Sequence, residues 1–402
     1  MESNSVDPNK ENLPRESIHS YRMDDALVLF DAYTRQIYRI NGTAMAIWQG
    51  ICAGIPLDDI ASHLSAQSGE ALPRVLKDVN DMVEQWRCLG FFDLPVHGTI
   101  ENESEEIQSA DGDLYDFDIP SMPGDFVYNF QMVDTRFRLT MPDSATHELI
   151  TPMLQHLSYE SDKGHDIEIA VVKNQDRYVL LINGLPVDAC RKTDRVAPMV
   201  FASAVFAAYD QSQHLMGLHA AAVAFQGRSV LMPGLPASGK STLTAALVGS
   251  GCSFLADDMV LCTSKNMSMR SVPTAIGLKS GSWAPLRGYF PSIEALPVHL
   301  RADNQAIRYF VPPVDAIGWN SLMFNVDFLV FPHFVAGREV DLTSISAADG
   351  LSLLTAAGYD VPGELNAEVV QNLIDWITNV PCYEMYFSHL DDAVSVIKEL
   401  LS

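Results

Sequence analysis

Paired cysteines are absent from this sequence. The chain of 402 residues contains six cysteines, and no two of them form a C-x-x-C pair. Without such pairs the sequence offers neither a zinc-binding motif nor the dense disulfide framework of small secreted proteins. We interpret the cysteines as reduced and mostly buried thiols of a cytoplasmic protein: Cys52, Cys88, Cys190, Cys252, Cys262 and Cys382.

A long hydrophobic run is also missing. The longest uncharged apolar stretch covers residues 196–209, fourteen positions. A helix that crosses a bilayer needs roughly 18–20 such residues. Residues 1–7 are polar and acidic, and they lack the basic and then apolar pattern of a secretory signal. The sequence therefore predicts no transmembrane helix and a cytoplasmic location.

Basic residues are scarce, with 26 Lys and Arg against 51 Asp and Glu and a net charge of −25. Because binding to a phosphate backbone depends on Lys and Arg, this balance argues against nucleic acid or an anionic membrane as the main partner. Between Arg87 and Arg136 the chain has no Lys or Arg at all. Residues 96–124 are predicted to form a solvated acidic linker, since so charged a segment cannot offset its ordering entropy. An acidic docking tail is the alternative.

The residues that are present predict a multidomain chain of mixed α/β and α+β class. Residues 1–20 form a polar, disordered tail, and residues 21–95 contain a hairpin followed by three short helices, as in a small winged-helix unit. In the third helix, apolar residues recur at helical spacing and Gly90 ends the pattern. The expected elements are strands at 26–30 and 36–40 and helices at 41–48, 57–64 and 72–89.

Residues 125–215 are predicted to be rich in strands, and residues 216–402 to form a kinase domain. The strand segments are 126–130, 136–140, 166–172 and 178–182, and Asn183-Gly184 is a turn pair. The apolar residues 196–209 are interpreted as a buried helix.

Residues 234–242 read Gly-Leu-Pro-Ala-Ser-Gly-Lys-Ser-Thr and match the phosphate-loop pattern G-x-x-x-x-G-K-[ST]. A predicted strand at 229–232 precedes the loop, and a predicted helix at 240–248 follows it. In that context, backbone N–H groups and the helix N-terminus attract phosphate. A glycine-rich turn that binds nothing is the alternative. The expected nucleotide-binding residues are Gly234, Ala237, Ser238, Gly239, Lys240, Ser241 and Thr242, with Lys240 on the β- and γ-phosphates and the Ser241 hydroxyl on Mg²⁺.

Two adjacent carboxylates, Asp257 and Asp258, interrupt the apolar run 253–261. Such a pair is costly in an apolar strand unless it binds a cation or accepts strong hydrogen bonds. One of the two can complete a Mg²⁺ shell while the other accepts the proton of an attacking hydroxyl. A solvated strand end is the alternative. His219 lies in another apolar run, one strand before the loop, and a satisfied core histidine is the simpler interpretation of it.

His219, the loop at 234–242 and the segment Leu255-Ala-Asp-Asp-Met-Val260 together resemble, in order and spacing, the core of the HPr kinase/phosphorylase family and its HPr-kinase-related branch. The resemblance implies a mixed sheet like that of phosphoenolpyruvate carboxykinases, with ATP and Mg²⁺ as cofactors and phosphorylation of serine hydroxyls. It implies that Asp257 is the general base, that His219 holds Asp257 by a hydrogen bond, and that Asp258 and Ser241 bind the metal.

The chain departs from that family at two places. No counterpart is evident for the acidic metal ligand that follows the paired aspartates, or for the Arg/Asn-containing phosphorylase loop. These departures argue against dephosphorylation by phosphate and against HPr itself as the substrate. Lys279 and Arg308 are candidate electrophilic helpers.

The N-terminal unit resembles a second family. The segments Arg39-Ile-Asn-Gly-Thr-Ala-Met-Ala-Ile-Trp48 and Pro56-Leu-Asp-Asp-Ile-Ala61, with the helix at 72–89, are similar to the PqqD peptide chaperone of pyrroloquinoline-quinone biosynthesis. Such domains bind precursor leader peptides, by adding the peptide as an extra strand to the hairpin edge beside the third helix. The alternative is a DNA-binding winged helix. The charge of residues 21–92 argues against it, because they carry more acidic than basic side chains.

Joined, the two resemblances predict an ATP-dependent serine/threonine kinase that phosphorylates a peptide captured by residues 21–95. Two alternatives remain open: a small-molecule kinase acting on a free amino acid or sugar hydroxyl, and a nucleotide-binding scaffold without transfer activity. The sequence is compatible with a homo-oligomer.

Overall fold

The computed structural model describes residues 13–23, 26–92, 124, 126–160, 164–263, 266–319, 323–362 and 365–402. Its internal contacts divide the chain into two units. Unit 1 comprises Met1–Glu105, Ser346–Thr355 and Gly363–Asn379, and unit 2 comprises Glu106–Ile345, Ala356–Pro362 and Val380–Ser402. The predicted acidic linker at 96–124 lies outside the described residues except for its last position, and so do the first twelve residues of the predicted tail.

The N-terminal stretch of unit 1 confirms the predicted hairpin and three helices and adds one strand. Its elements are β1 (Ile18–Met23), β2 (Ala26–Asp31), β3 (Gln36–Asn41), α1 (Gly42–Cys52), α2 (Leu57–Ser68) and α3 (Leu72–Cys88). The strands form an antiparallel sheet in the order β1-β2-β3. The added strand β1 begins inside the segment predicted as a tail. Its own residues are mostly polar, so its order comes from the backbone ladder to β2, which the sequence pattern does not reveal.

The helices of this stretch pack an aromatic core against the sheet. Trp48 of α1 meets Trp86 of α3 edge to face, with ring centroids 5.2 Å apart, and both side chains are buried. Val79 and Val83 of α3 lie on the same buried stripe, as the helical spacing predicts. The chain leaves α3 through Gly90, whose φ of 76° favours glycine.

The first part of unit 2 is a five-stranded sheet with two helices packed on it. Its elements are β4 (Phe126–Met132), β5 (Thr135–Met141), α4 (Ser144–Leu154), β6 (Ile167–Asn174), β7 (Arg177–Ile182), β8 (Leu185–Cys190) and α5 (Val196–Gln211). The strand order is β4-β5-β6-β7-β8, and the β5–β6 pair is parallel. The four predicted strands and the predicted helix are confirmed, and α4 and α5 share one apolar core with the sheet.

The rest of the chain contains fourteen strands or short strand segments and five helices in the described residues: β9 (Met216–Leu218), β10 (Ala220–Phe225), β11 (Arg228–Pro233), α6 (Lys240–Gly249), β12 (Ser253–Ala256), β13 (Val260–Cys262), β14 (Met269–Arg270), β15 (Ile276–Lys279), α7 (Ser280–Leu286), β16 (His299–Leu300), β17 (Ala306–Phe310), β18 (Met323–Phe324), β19 (Phe328–Phe334), β20 (Asp341–Ile345), α8 (Ala347–Ala357), β21 (Tyr359–Asp360), α9 (Ala367–Asn379), β22 (Cys382–Phe387) and α10 (Leu390–Leu400).

Three sheets organise this part of unit 2. A six-stranded mixed sheet has the order β12-β10-β11-β19-β22-β20, with β19 parallel to both β11 and β22. A five-stranded antiparallel sheet has the order β18-β14-β13-β9-β21, and a three-stranded antiparallel sheet the order β15-β17-β16. Helices α6 and α10 pack against each other and against the six-stranded sheet, forming the largest described core of this half.

Two helices from the C-terminal half belong to unit 1. The greater part of α8 and the whole of α9 are grouped with the N-terminal strands rather than with the rest of the predicted kinase domain. Arg39 of β3 pairs with Asp349 of α8 at 2.7 Å, and the Tyr21 hydroxyl of β1 donates to the Ala367 carbonyl of α9 at 3.0 Å. The domain boundary predicted at residue 216 does not describe this arrangement, because an insertion that leaves a domain and returns to it gives no compositional break.

No helix within the described ranges is both long enough and apolar enough to cross a membrane. None of the six cysteines forms a disulfide, and four of them are buried, while Cys52 and Cys88 are exposed.

Candidate active site

The chain crosses between two sheets at each of the predicted acid–base positions. His219 separates β9 of the five-stranded sheet from β10 of the six-stranded sheet. Residues Asp257 to Met259 separate β12 of the six-stranded sheet from β13 of the five-stranded sheet. Both crossings therefore put polar side chains where a strand ends, which relieves the cost of placing them in an apolar run.

Strand pairing brings these crossings and the phosphate loop to one edge. In the five-stranded sheet Val260 is the cross-strand partner of Leu218, and in the six-stranded sheet Ala256 is that of Ala222. Ala220 is in turn paired with Pro233, the residue before the loop. His219, the two aspartates and the first loop glycine therefore follow strand ends that are direct neighbours.

The phosphate-loop segment has the predicted strand–loop–helix form, with β11 before it and α6 after it. Gly239 has φ +88°, and a Cβ built there would lie 2.9 Å from the Phe387 ring, so this position requires glycine. A Cβ at Gly234 would lie 2.6 Å from the Ser238 hydroxyl oxygen, so the loop also closes tightly at its start. The loop delivers Lys240 to the first position of a ten-residue helix, whose N–H groups and dipole favour an anion.

Lys240 and Asp257 are both buried at the centre of the site, with 6% and 4% of their surfaces exposed. Burial lowers the pKa of Lys240, against the opposing effect of the two aspartates. Burial and the neighbouring Asp258 raise the pKa of Asp257 to about 7, although Lys240 and hydrogen bonds from Ser241 and the Gly277 N–H act to lower it. Asp257 thus contacts the residues of the loop that would meet phosphate and metal.

His219 faces the other aspartate. Its Nδ1 lies 3.3 Å from Asp258 Oδ1, and the Asp258 side chain is 77% exposed. Burial and the charge of Lys240 lower the pKa of His219, and Asp258 raises it. The sequence comparison placed His219 on Asp257; the structure corrects this pairing, because the strand crossing that carries His219 lies opposite the exposed carboxylate.

Three buried polar atoms of the site have no hydrogen-bond partner in the described structure: Lys240 Nζ, Asp257 Oδ1 and Ser238 Oγ. A buried ammonium, hydroxyl or carboxylate group without a hydrogen-bond partner is costly, so each of these three atoms needs a ligand to interact with. Phosphate oxygens would satisfy Lys240 and Ser238, and a divalent cation would satisfy Asp257. The residues therefore fit a magnesium nucleotide.

Among the described residues, no cluster of three or more His, Cys, Asp and Glu side chains could hold a metal by itself. A divalent cation in this site would rely on Ser241, one aspartate, phosphate oxygens and water. That donor set suits Mg²⁺, which usually keeps several waters and binds through one or two carboxylates and substrate phosphates.

A cavity of about 1210 Å³ within unit 2 contains all the residues predicted for the site except Gly234. Beyond the acidic pair it is lined by residues that the sequence analysis did not select: α5 side chains such as Phe201 and Phe206, Tyr309 of β17, and Arg195 and Arg301. Neither the apolar helix α5 nor the hairpin of β16 and β17 contains a sequence motif that would identify it as part of a site. The one available signal was the all-round apolar character of residues 196–209, which indicates a helix with more than one covered face.

The two candidate electrophilic helpers separate. Lys279 of β15 lines the cavity. Arg308 of β17 lies with its guanidinium 4.1 Å from the Trp283 ring centroid and donates to the Ile293 carbonyl at 3.1 Å, on the opposite face of β17 from Tyr309. Successive strand residues point to opposite faces, so Arg308 packs away from the cavity that Tyr309 lines and lies outside the candidate site.

Comparison with known proteins gives one family match. Residues 26–91 match the sequence model of the family described as coenzyme PQQ synthesis protein D (PqqD). No curated protein matches the chain at a significant level.

Each of the similar solved structures covers less than half of this chain. TbiB1 in complex with the TbiA(beta) leader peptide is 18% identical over 21% of this chain and 99% of its own, with a TM-score of 0.20. A lasso peptide synthetase B1 complexed with the leader peptide is 23% identical over 20% and 95%, with a TM-score of 0.19. The Hpr(Ser) kinase/phosphatase from Coxiella burnetii is 15% identical over 46% and 93%, with a TM-score of 0.22. Scores this low support no argument about function. The family match does not depend on these structures, because it comes from the sequence itself: the N-terminal part of the chain, at residues 26–91, is a PqqD domain.

Proposed function

We propose that the chain is an ATP-dependent, Mg²⁺-requiring kinase that phosphorylates a Ser or Thr hydroxyl on a peptide captured by its PqqD domain. The observation that carries the proposal is the meeting of Lys240, Asp257 and the His219–Asp258 pair at one sheet edge, with buried polar atoms left for a ligand. Phosphoryl transfer asks for positioning and charge neutralisation more than covalent chemistry from the protein, and this set of residues provides both.

The loop side of the site handles the phosphates. The backbone of residues 234–239 and Lys240 hold the β- and γ-phosphates, while Ser241 and Asp257 hold the metal. Bound Mg²⁺–ATP supplies the γ-phosphoryl group and neutralises the charge that develops on it. A nucleotide-binding scaffold would need no further carboxylate, whereas here a second one faces the open cavity.

The acceptor side is assigned to Asp258 and His219. Asp258 is the exposed member of the pair, so it is the carboxylate that an acceptor hydroxyl can reach, and His219 orients it. The acceptor oxygen forms a bond to phosphorus while the bond from phosphorus to the departing ADP oxygen breaks, and the hydroxyl proton passes to Asp258. This assignment exchanges the roles that the family resemblance implies for Asp257 and Asp258.

Replacing each aspartate by asparagine separates the two assignments. We expect Asp258→Asn to bind Mg²⁺–ATP like the wild type and to lose about 10²–10⁴-fold in transfer rate. We expect Asp257→Asn to weaken Mg²⁺-dependent ATP binding itself, because a metal ligand is lost. Calorimetric ATP binding with and without Mg²⁺, beside turnover, gives both quantities.

Asp176→Asn is the matched control, since Asp176 is an exposed acid of the same unit, 76% exposed, and lies outside the cavity. The reverse pattern, with binding lost only in Asp258→Asn, would restore the roles implied by the resemblance. If both variants turn over ATP and phosphorylate acceptors like the wild type, the kinase proposal is wrong.

Peptide capture is assigned to the free edge of β3. The three-stranded sheet pairs β3 with β2 only, so a row of β3 backbone groups is available for an added strand within the described residues. The predicted acidic linker at 96–124 would keep a captured peptide at high local concentration for the kinase half.

Hydrogen exchange tests this step. Synthetic leader-type peptides that stimulate turnover should slow exchange of β3 amides in residues 36–41 and leave those of β5 unchanged. Stimulation without protection of β3 would mean that the peptide docks elsewhere.

A further inference from the structure

One face of α5 forms an apolar wall of the cavity. We call the part of the cavity lined by α5, Tyr309 and Arg301 its far half. Phe201, Val205 and Phe206 line the cavity there, while the opposite side of α5 is packed into the core of the five-stranded sheet. Phe206 is 70% exposed. A row of large apolar side chains facing an open cavity beside a reactive centre marks a surface that a ligand covers.

Tyr309 connects this wall with the acidic pair. Its ring lies 4.8 Å from that of Phe201, and its cross-strand partner is Gly277, whose N–H group hydrogen-bonds Asp257. Burial raises the pKa of Tyr309, the Arg301 guanidinium lowers it and the Asp258 carboxylate raises it. Tyr309 therefore lies between the apolar wall and the strand that contacts Asp257.

Arg301 stands at the end of this surface, in the turn between β16 and β17. The turn is closed by hydrogen bonds from the Arg301 N–H to the Gln305 carbonyl and from the Asn304 N–H to the Arg301 carbonyl, both 3.0 Å. Arg195 donates to the Asn304 side chain and so fixes the turn to α5's N-terminal end. Arg301 is 48% exposed, and its nearest carboxylate, on Asp303, is 3.8 Å away and outside the cavity lining.

We propose that this half of the cavity binds the acceptor as a peptide segment with an apolar or aromatic residue beside the phosphorylated Ser or Thr and an Asp or Glu a few residues away. The hydroxyl lies at Asp258, the apolar side chain against Phe201 and Tyr309, and the acidic side chain on Arg301. In a chain with a net charge of −25, which repels acidic ligands at long range, a guanidinium at this point selects them locally. The inference rests on the proposed kinase function.

A degenerate peptide library with a single Ser at a fixed position tests the proposal. The wild type and Arg301→Gln are given the library with Mg²⁺–ATP, and the phosphorylated peptides are sequenced. The wild type should enrich Asp and Glu at one nearby position and apolar residues beside the Ser. Arg301→Gln should lose the acidic preference, on the order of tenfold in kcat/KM, and keep the apolar preference.

Arg301→Lys and Arg191→Gln complete the design. The lysine variant should retain part of the acidic preference, because the charge is kept and the bidentate geometry is lost. Arg191, 61% exposed and outside the cavity lining, is the matched arginine control and should behave like the wild type. Phosphorylation without an acidic preference, or with one that survives Arg301→Gln, overturns the proposal. If no peptide is phosphorylated while the ATP-binding differences between the aspartate variants hold, the peptide acceptor is wrong and the nucleotide site stands; if both fail, the kinase function itself is wrong.

Discussion

Lys240 carries a cost in stability that its role in the site explains. Its ammonium group is buried and has no hydrogen-bond partner among the described residues, although the neighbouring aspartates attract it. An ammonium group in this state is held in the folded chain against its own desolvation. Residues of this kind mark places where function has been kept at the expense of stability.

Lys240→Met should therefore change stability and activity in opposite directions. Methionine fills similar space without a charge, so we expect the nucleotide-free variant to gain about 1 kcal/mol in free energy of unfolding. Turnover and Mg²⁺–ATP binding should be lost. Urea unfolding and calorimetric binding provide the two measurements.

Lys192→Met, at an exposed position of the same unit, is the control and should leave both quantities near the wild-type values. A Lys240→Met variant that is markedly less stable than the wild type would indicate that Lys240 and Asp257 form a stabilising pair.

His156 gives a pH dependence that is independent of the site. Burial lowers the pKa of its imidazole, although the Pro273 carbonyl, 2.8 Å from Nε2, acts in the opposite direction. The folded chain thus prefers neutral His156. Its contribution to stability is complete above the unfolded pKa of about 6.5 and is lost as the pH falls below that value.

In His156→Gln that loss should be absent. The difference in free energy of unfolding between wild type and variant, measured at pH 7.5 and again at pH 5.5, should shift in favour of the variant at the lower pH. An unchanged difference would mean that His156 titrates alike in both states.

At the scale of elements, the sequence predicted strands and helices where their apolar spacing is regular. Strands β4 to β7, helix α5 and the strand–loop–helix around Gly239 follow from local pattern, whereas β8 was not predicted. The crossings at His219 and at Asp257–Asp258 did not, since a run that is apolar throughout does not tell where a chain passes from one sheet to another. The resemblance implies Asp257 as the partner of His219, whereas the structure places His219 beside Asp258.

The short strand β21 holds His219 from the side. The His219 N–H donates to the Gly358 carbonyl at 3.1 Å, and Tyr359 is the cross-strand partner of Leu218. Gly358 has φ +108°, and a Cβ built there would lie 3.7 Å from the His219 Cβ. The backbone before β21 therefore has a conformation that favours glycine, and it holds His219 by a hydrogen bond.

Gly358→Ala should lower kcat about tenfold, because alanine strains the backbone at φ +108° and so shifts the carbonyl that accepts from the His219 N–H, while Mg²⁺–ATP binding stays unchanged. Gly337→Ala is the matched control: Gly337 has φ +76° but open space around its Cβ position, so it tests backbone strain alone. Equal effects on kcat in both variants would assign the loss to backbone strain in general and not to the hydrogen bond between Gly358 and His219.

At the scale of the whole molecule, the sequence indicated the two resemblances but not the way in which the chain is divided. The segments that resemble PqqD predicted such a unit at residues 21–95, and the PqqD family model matches residues 26–91. The later segments of unit 1, Ser346–Thr355 and Gly363–Asn379, come after more than two hundred residues of unit 2. Contacts between segments so far apart in sequence leave no trace in local pattern, as the 2.7 Å pair between Arg39 and Asp349 illustrates.

Removal of residues 1–118 should therefore not leave an intact kinase half. Helix α9 buries Val370, Leu373, Ile374 and Ile377, and it lies in the same unit as the deleted strands. We expect the truncated protein to show a lower unfolding temperature and increased binding of a hydrophobic dye, since this apolar stripe loses cover.

Deletion of residues 1–12 alone is the control and should change neither property. If the larger deletion keeps the wild-type unfolding temperature and binds no dye, α8 and α9 are stable without the N-terminal strands. In that case truncation would become a clean way to separate peptide capture from phosphoryl transfer.

The discontinuity of unit 1 has a consequence during synthesis. The strands and helices at 18–88 leave the ribosome early, but α9, which the finished unit includes, is complete only at Asn379. At roughly 5–20 residues per second, the nascent unit waits on the order of tens of seconds for its last helix. During that interval the hairpin strands lack their final neighbours and are open to pairing with other chains. A chaperone, or a peptide bound early to the β3 edge, would cover these strands during the interval, so the yield of folded protein is expected to depend on what is present while the chain is being made.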